Sequence, residues 1–126
     1  MKLTLGPIQI FVSDLEIAKK WYTKILGMEL IKEYPNFKCV LMKLDKTEFD
    51  IGVPNPSWGE GWNKVKVGGR TSIFFETNDI KETWNELKRR GVKVIEELFK
   101  RPWGEMKAVF ADPDGNEFNL IESVSD

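Results

Sequence analysis

Histidine is absent from all 126 residues. That removes the commonest general base near neutral pH and the commonest transition-metal ligand. Zinc-binding HExxH helices, Ser-His-Asp triads and two-histidine-one-carboxylate iron sites are excluded with it. Chemistry in this chain has to run on carboxylates, lysines, tyrosines, one thiol or the backbone. The lone cysteine, Cys39, allows no internal disulfide and fits a cytoplasmic default. It sits in the strand-like run Lys38-Cys39-Val40-Leu41-Met42, which favours a buried, unreactive thiol over a nucleophile with no histidine to activate it.

Long apolar runs are missing too. None approaches the roughly 18 residues needed to cross a bilayer, and Met1 to Gly6 lacks the apolar centre of a signal peptide. Nor does one sign of charge dominate: 19 basic residues face 20 acidic ones, for a net charge of −1. That gives no electrostatic reason to expect nucleic acid or an anionic membrane as partner. It leaves self-association open. At 41% apolar and 31% charged the chain has globular composition, long enough for one domain or two tightly fused halves.

What is present repeats. Leu5 to Val12 reads as a strand. Ser13-Asp14-Leu15-Glu16 has the spacing of a capping box, and Leu15, Ala18, Tyr22, Ile25 and Leu26 make a helical stripe with Trp21 beside it. Gly27 stops that helix. Strands follow over 28–34, 37–44 and 48–53. The same pattern returns with strand 71–77, the cap Asp79-x-x-Glu82, a stripe of Ile80, Thr83, Trp84 and Leu87, the stop Gly91, and strands over 92–98, 104–111 and 117–124. Asp14 thus recurs as Asp79 and Gly27 as Gly91, an offset of about 65 residues. The fold class expected is α+β, with paired β-α-β-β-β modules over 1–53 and 70–126 in a single 1–126 domain. Two such modules suit a curled, partly closed mixed sheet with helices outside and a shared hollow; a filled two-layer sandwich is the alternative. Between the modules, 54–69 has no periodicity and carries Trp58 and Trp62 among prolines and glycines.

The run Ile8-Gln9-Ile10-Phe11-Val12-Ser13-Asp14-Leu15, with Ala18, Trp21-Tyr22 and Ile25-Leu26-Gly27-Met28, resembles the opening of a glyoxalase / bleomycin-resistance / dioxygenase (vicinal oxygen chelate) module. Phe75-Glu76-Thr77-Asn78-Asp79-Ile80 and Phe110-Ala111-Asp112-Pro113-Asp114-Gly115-Asn116 resemble its second half. The resemblance covers essentially the whole chain. It implies fold more specifically than activity, because this fold hosts many reactions and several binding proteins. It also implies four metal-holding positions, which here carry Pro7, Asp50, Ser72 and Asn119. Gln9, two residues on from Pro7, points to the same strand face. One carboxylate among neutral groups is a poor transition-metal site, so neither metal nor cofactor is expected.

Asp50 is the candidate polar residue of a cavity, or simply a solvent-facing strand residue. By strand parity Ser72, Phe74 and Glu76 share a face, as do Glu117, Asn119 and Ile121. Trp58, Trp62 and Trp103 occupy loops or a loop–strand junction; they either pin those segments or wall a ligand site, with Phe11, Tyr34 and Phe37 extending the wall. The acidic run Asp112 to Asn116 is too short for a calcium loop and reads as a turn. The candidate ligand-binding set is Gln9, Phe11, Asp50, Trp58, Trp62, Ser72, Phe74, Trp103 and Asn119. The expected function is metal-independent binding or sequestration of an aromatic or amphipathic small molecule, in a homodimer as the resemblance implies. The alternative is a glyoxalase-like lyase or isomerase with an atypical or absent metal site and Asp50 as its base.

Overall fold

The computed structural model describes residues 1–123. It divides into two units, Met1–Val67 and the chain from Gly68 onward.

In the first unit, strand β1 (Ile8–Phe11) leads into helix α1 (Leu15–Lys24). Asp14 caps that helix, its Oδ1 accepting from the Ile17 amide at 3.1 Å. This corrects the capping box expected from Ser13 and Glu16: the cap lies one residue later, so its partner amide belongs to an isoleucine. Gly27, at φ +74, supplies the left-handed turn after the helix. Strands β2 (Glu29–Tyr34), β3 (Cys39–Leu44) and β4 (Thr47–Gly52) follow. The sheet order is β1-β4-β3-β2, with β1 parallel to β4 and the other pairs antiparallel. Side chains alternate along β3 and most of β4. Ile10, Val12, Val40, Met42, Phe49 and Ile51 are buried together with Ala18 and Tyr22 of α1, and α1 contacts β2 and β4. Full burial of such side chains stabilises the unit by about 1.5–3 kcal/mol each. The opposite face carries Gln9, Phe11, Cys39, Leu41, Asp50 and Gly52.

After β4 the chain forms a 3-10 turn (Pro56–Trp58) and a four-residue helix α2 (Glu60–Asn63), where the sequence shows only absent periodicity. Both are too short to leave a period. Asn55 organises the turn, its Oδ1 accepting from the Ser57 amide at 3.0 Å and the Ser57 hydroxyl at 2.6 Å.

The second unit repeats the plan with β5 (Gly69–Thr77), α3 (Ile80–Arg89), β6 (Lys93–Lys100), β7 (Met106–Ala111) and β8 (Asn116–Glu122). The sheet order is β5-β8-β7-β6, with β5 parallel to β8. The last strand is expected to reach Val124, which lies outside the described residues. Asp79 caps α3 through the Glu82 amide at 3.1 Å, as its spacing predicts. Ile80, Trp84 and Leu87 are buried along with Ala108, Phe110, Phe118 and Leu120. Trp84 of the α3 stripe is buried; Trp21, beside the α1 stripe, is half-exposed, and Tyr22 takes the interior position on α1. The α+β class and the doubled β-α-β-β-β order are those read from the sequence.

The Asp112–Asn116 turn is held by Asp112, which is 1% exposed. Its carboxylate accepts from the Asp114 amide at 2.9 Å, the Asn116 amide at 2.8 Å and the Asn116 side chain at 2.8 Å. With Gly115 at φ +82, this is the hydrogen-bonded turn the sequence suggests.

Candidate functional site

The face of the first sheet opposite α1 carries an open depression of about 130 Å³. Its floor is set by strand register. Gln9 and Asp50 are paired neighbours on β1 and β4, and Phe11 stands beside Gly52. Cys39, opposite Gly52 across the β3–β4 ladder, completes the floor. A side chain on Gly52 has no room, since its Cβ would come within 2.8 Å of the Cys39 Cβ. Glycine therefore keeps this floor flat next to Asp50.

The walls are aromatic and come largely from the segment after β4. Phe37 meets Trp58 at 6.0 Å and 65°, Trp58 meets Trp62 at 5.2 Å and 80°, and Trp62 meets Phe11 at 5.8 Å and 87°. Edge-to-face pairs of this kind add about 0.5–1.5 kcal/mol each beyond burial. They hold the rings as a connected series of steeply angled walls. Gly59, at φ +133, makes the turn between the two tryptophans that a β-carbon would resist.

The electrostatics follow from enclosure. Burial pushes the Asp50 carboxyl above its ordinary value, and a hydrogen bond with the Cys39 thiol opposes that in part. Burial, and then the charge of Asp50, push the Cys39 thiol up as well. Both effects favour the thiol over the thiolate, so Cys39 acts as a donor to Asp50; contrary to the sequence expectation, it is not buried. Its half-exposed place in the depression is a finding the sequence reading lacked, although parity with Leu41 and opposition to Val40 and Met42 contained the signal.

The second unit gathers Ser72, Phe74 and Asn119 into a depression of about 220 Å³ on the face of its own sheet opposite α3. Two cations, Arg70 and Lys107, and two carboxylates, Glu96 and Glu117, share it. Parity had put Glu117 on the face of Asn119, but Arg70, Glu96, Lys107 and Val109 were missed, because their convergence depends on strand pairing. Ser72 holds φ +62 in an irregularity of the β5–β8 pairing. Asn119 Nδ2 donates to the Ile73 carbonyl at 3.3 Å, and the Lys107 ammonium lies 6.0 Å from the Phe74 ring centroid. Trp103 belongs to neither depression: the Arg101 guanidinium covers its ring at 4.1 Å.

The donors do not suit a metal. Pro7 offers no side-chain donor, Ser72 a hydroxyl and Asn119 an amide, which leaves Asp50 as the single anionic group. Among the described residues no three of histidine, cysteine, aspartate or glutamate come together. A divalent transition ion requires three or four strong ligands.

Two β-α-β-β-β units, each with a helix on one sheet face and a depression on the other, define a paired-module α+β protein. The chain belongs to the Glyoxalase/Bleomycin resistance protein/Dioxygenase superfamily, whose model matches residues 4–120. It is 31% identical to a probable lactoylglutathione lyase of Synechocystis sp., over 92% of each chain. It is 28% identical to the uncharacterised protein YetH of Bacillus subtilis, over 94% of this chain and 97% of that one. A solved member of the same superfamily from Sphaerobacter thermophilus superposes with a TM-score of 0.82 at 35% identity, covering 97% of this chain and 98% of that one. No helix among the described residues is long and apolar enough to cross a membrane.

Proposed function

We propose that this chain binds a small aromatic or amphipathic organic molecule without a metal, and that Gln9, Phe11, Asp50, Trp58 and Trp62 form the binding face. The observation that carries this reading is the series of four edge-to-face rings standing over one half-buried carboxylate. Aromatic walls supply apolar contact and stacking; Asp50 and Gln9 supply orientation. At about 130 Å³ the depression takes a ring or a head group, since sites that enclose a whole drug-sized ligand run to roughly 300–1,000 Å³. Ser72, Phe74 and Asn119 remain proposed contacts of the same kind on the second unit. Trp103 is a weaker candidate because Arg101 already occupies its face.

The second reading is a lyase or isomerase with Asp50 as proton acceptor. A relative named as a probable lactoylglutathione lyase supports it, as does a carboxyl whose affinity for protons is raised by burial. Two measurements on the purified protein separate the readings. Dialysed protein is titrated with a panel of aromatic small molecules while tryptophan fluorescence is followed. The same panel is screened for turnover. Binding that weakens at least tenfold on Trp62→Leu, with no turnover, supports the binder. Turnover lost on Asp50→Asn supports the enzyme. A homodimer is part of the same proposal, in line with a net charge of −1; light scattering that gave one chain per particle would remove it.

A further inference from the structure

The aromatic depression of the first unit has a chemical preference that its shape alone does not express. Quadrupoles make the faces of Trp and Phe rings electronegative, and Trp is the strongest of the side chains in this respect. Phe37, Trp58 and Trp62 line the depression together, at interplanar angles of 65° and 80° between neighbours, so their ring planes turn around it and cannot stack as parallel plates. Elsewhere the chain fills such faces itself: Lys32 lies over Tyr34, Lys88 over Trp84, Arg101 over Trp103 and Lys107 over Phe74. Among the described residues no cation lies over Phe37, Trp58 or Trp62.

Asp50 points to the same conclusion independently. It is a carboxylate on the floor of an apolar depression, and none of the ion pairs among the described residues includes it. Its neighbour is a thiol, which donates a weak hydrogen bond and no charge. A partly desolvated carboxylate facing apolar walls is unfavourable unless a positive group compensates it. A metal ion is a poor candidate, because one carboxylate is too few ligands. A primary ammonium carries three N–H groups, and these walls offer few acceptors for them. A quaternary ammonium has none to satisfy, and it spreads its charge over methyl groups that can rest on ring faces.

We propose that the depression of the first unit is an aromatic cage for the quaternary ammonium head group of a small organic cation, with Trp58, Trp62 and Phe37 as walls and Asp50 as counter-charge. This rests on the binding reading above and narrows it to a ligand class. The cage takes the head group, and the remainder of the ligand extends past it.

The test compares choline with 3,3-dimethyl-1-butanol, which has the same shape without the charge, and with 1-naphthol as a neutral aromatic probe. Each is titrated into the full chain by calorimetry. The proton signal of the choline methyl groups is followed by NMR, because ring faces shift it upfield on binding. The expected result is choline binding at least tenfold tighter than its uncharged analogue, with an upfield methyl shift. Asp50→Asn and Trp58→Leu should each weaken it fivefold or more while the uncharged analogue is unaffected by Asp50→Asn. Circular dichroism establishes that the variants fold; if Trp58→Leu does not, Trp58→Phe keeps a ring with a weaker face and should still lose several-fold. Equal or tighter binding of the uncharged analogue overturns the cage and leaves the binding reading standing. So does 1-naphthol binding, sensitive to Trp58, when choline does not bind. Failure of all three probes overturns both.

Discussion

At the scale of single residues, Asp50 sets function against stability. Burial raises its folded-state pKa above the unfolded value, so the folded chain holds the proton more tightly. The stabilisation from that carboxyl is complete below the unfolded pKa and is lost as pH rises through the folded one. At neutral pH the ionised group is therefore an unfavourable feature of the empty fold. Asp50→Asn is expected to melt at or slightly above the native temperature at pH 7. The difference should shrink as pH falls through the ordinary carboxylate range near 4. Thermal melts of both proteins from pH 3.5 to 8 check this, and a variant less stable than the native chain at pH 7 would show that Asp50 serves the fold. Its alternation with Phe49 and Ile51 put Asp50 on the face opposite the core. Enclosure was not legible, because the rings that enclose it return from Phe37 and from the segment after β4.

At the scale of elements, the two modules solve the same packing problem with different chemistry. Strand β2 is tied to α1 by Lys19, which meets Glu33 at 2.5 Å, while β6 is tied to α3 by the Trp84 indole, which donates to Glu97 at 2.8 Å. Glu33 and Glu97 are equivalent under the repeat, as are Lys19 and Trp84. Caps, helix stripes and stopping glycines made this repeat readable, since each is a local signal. The irregularity at the start of β5 was not readable, because a break in pairing depends on the partner strand. There Thr71 and Ser72 fall outside the β5–β8 register. The Thr71 hydroxyl donates to the Glu117 carbonyl at 2.7 Å and accepts from the Ile73 amide at 3.2 Å. Thr71→Val keeps the shape and strands both backbone groups. Urea unfolding is expected to show a loss of about 1–2 kcal/mol. An unchanged midpoint would mean that the pairing break is held by something other than this hydroxyl.

At the scale of the whole molecule, family membership and site chemistry point in different directions. The superfamily model spans residues 4–120 and relatives match over most of their length, so the fold is inherited nearly entire. At the metal positions that the resemblance implies, the chain carries proline, aspartate, serine and asparagine, a set with one anionic donor. A ligand bound only by the native state raises its stability by RT ln(1 + [L]/Kd), about 2.7 kcal/mol at a hundredfold excess over Kd. A metal held at a working site would therefore show in the melting temperature when a chelator strips it. With a donor set this weak, overnight EDTA dialysis is expected to leave the melting temperature of this chain unchanged within about 1 °C, since each kcal/mol lost would lower it by several degrees for a domain of this size. Readdition of zinc, nickel or manganese at ten micromolar should not raise it. A drop of several degrees on chelation, restored by one of these ions and absent in Asp50→Asn, would put a metal at Asp50 and transfer the case to the lyase reading.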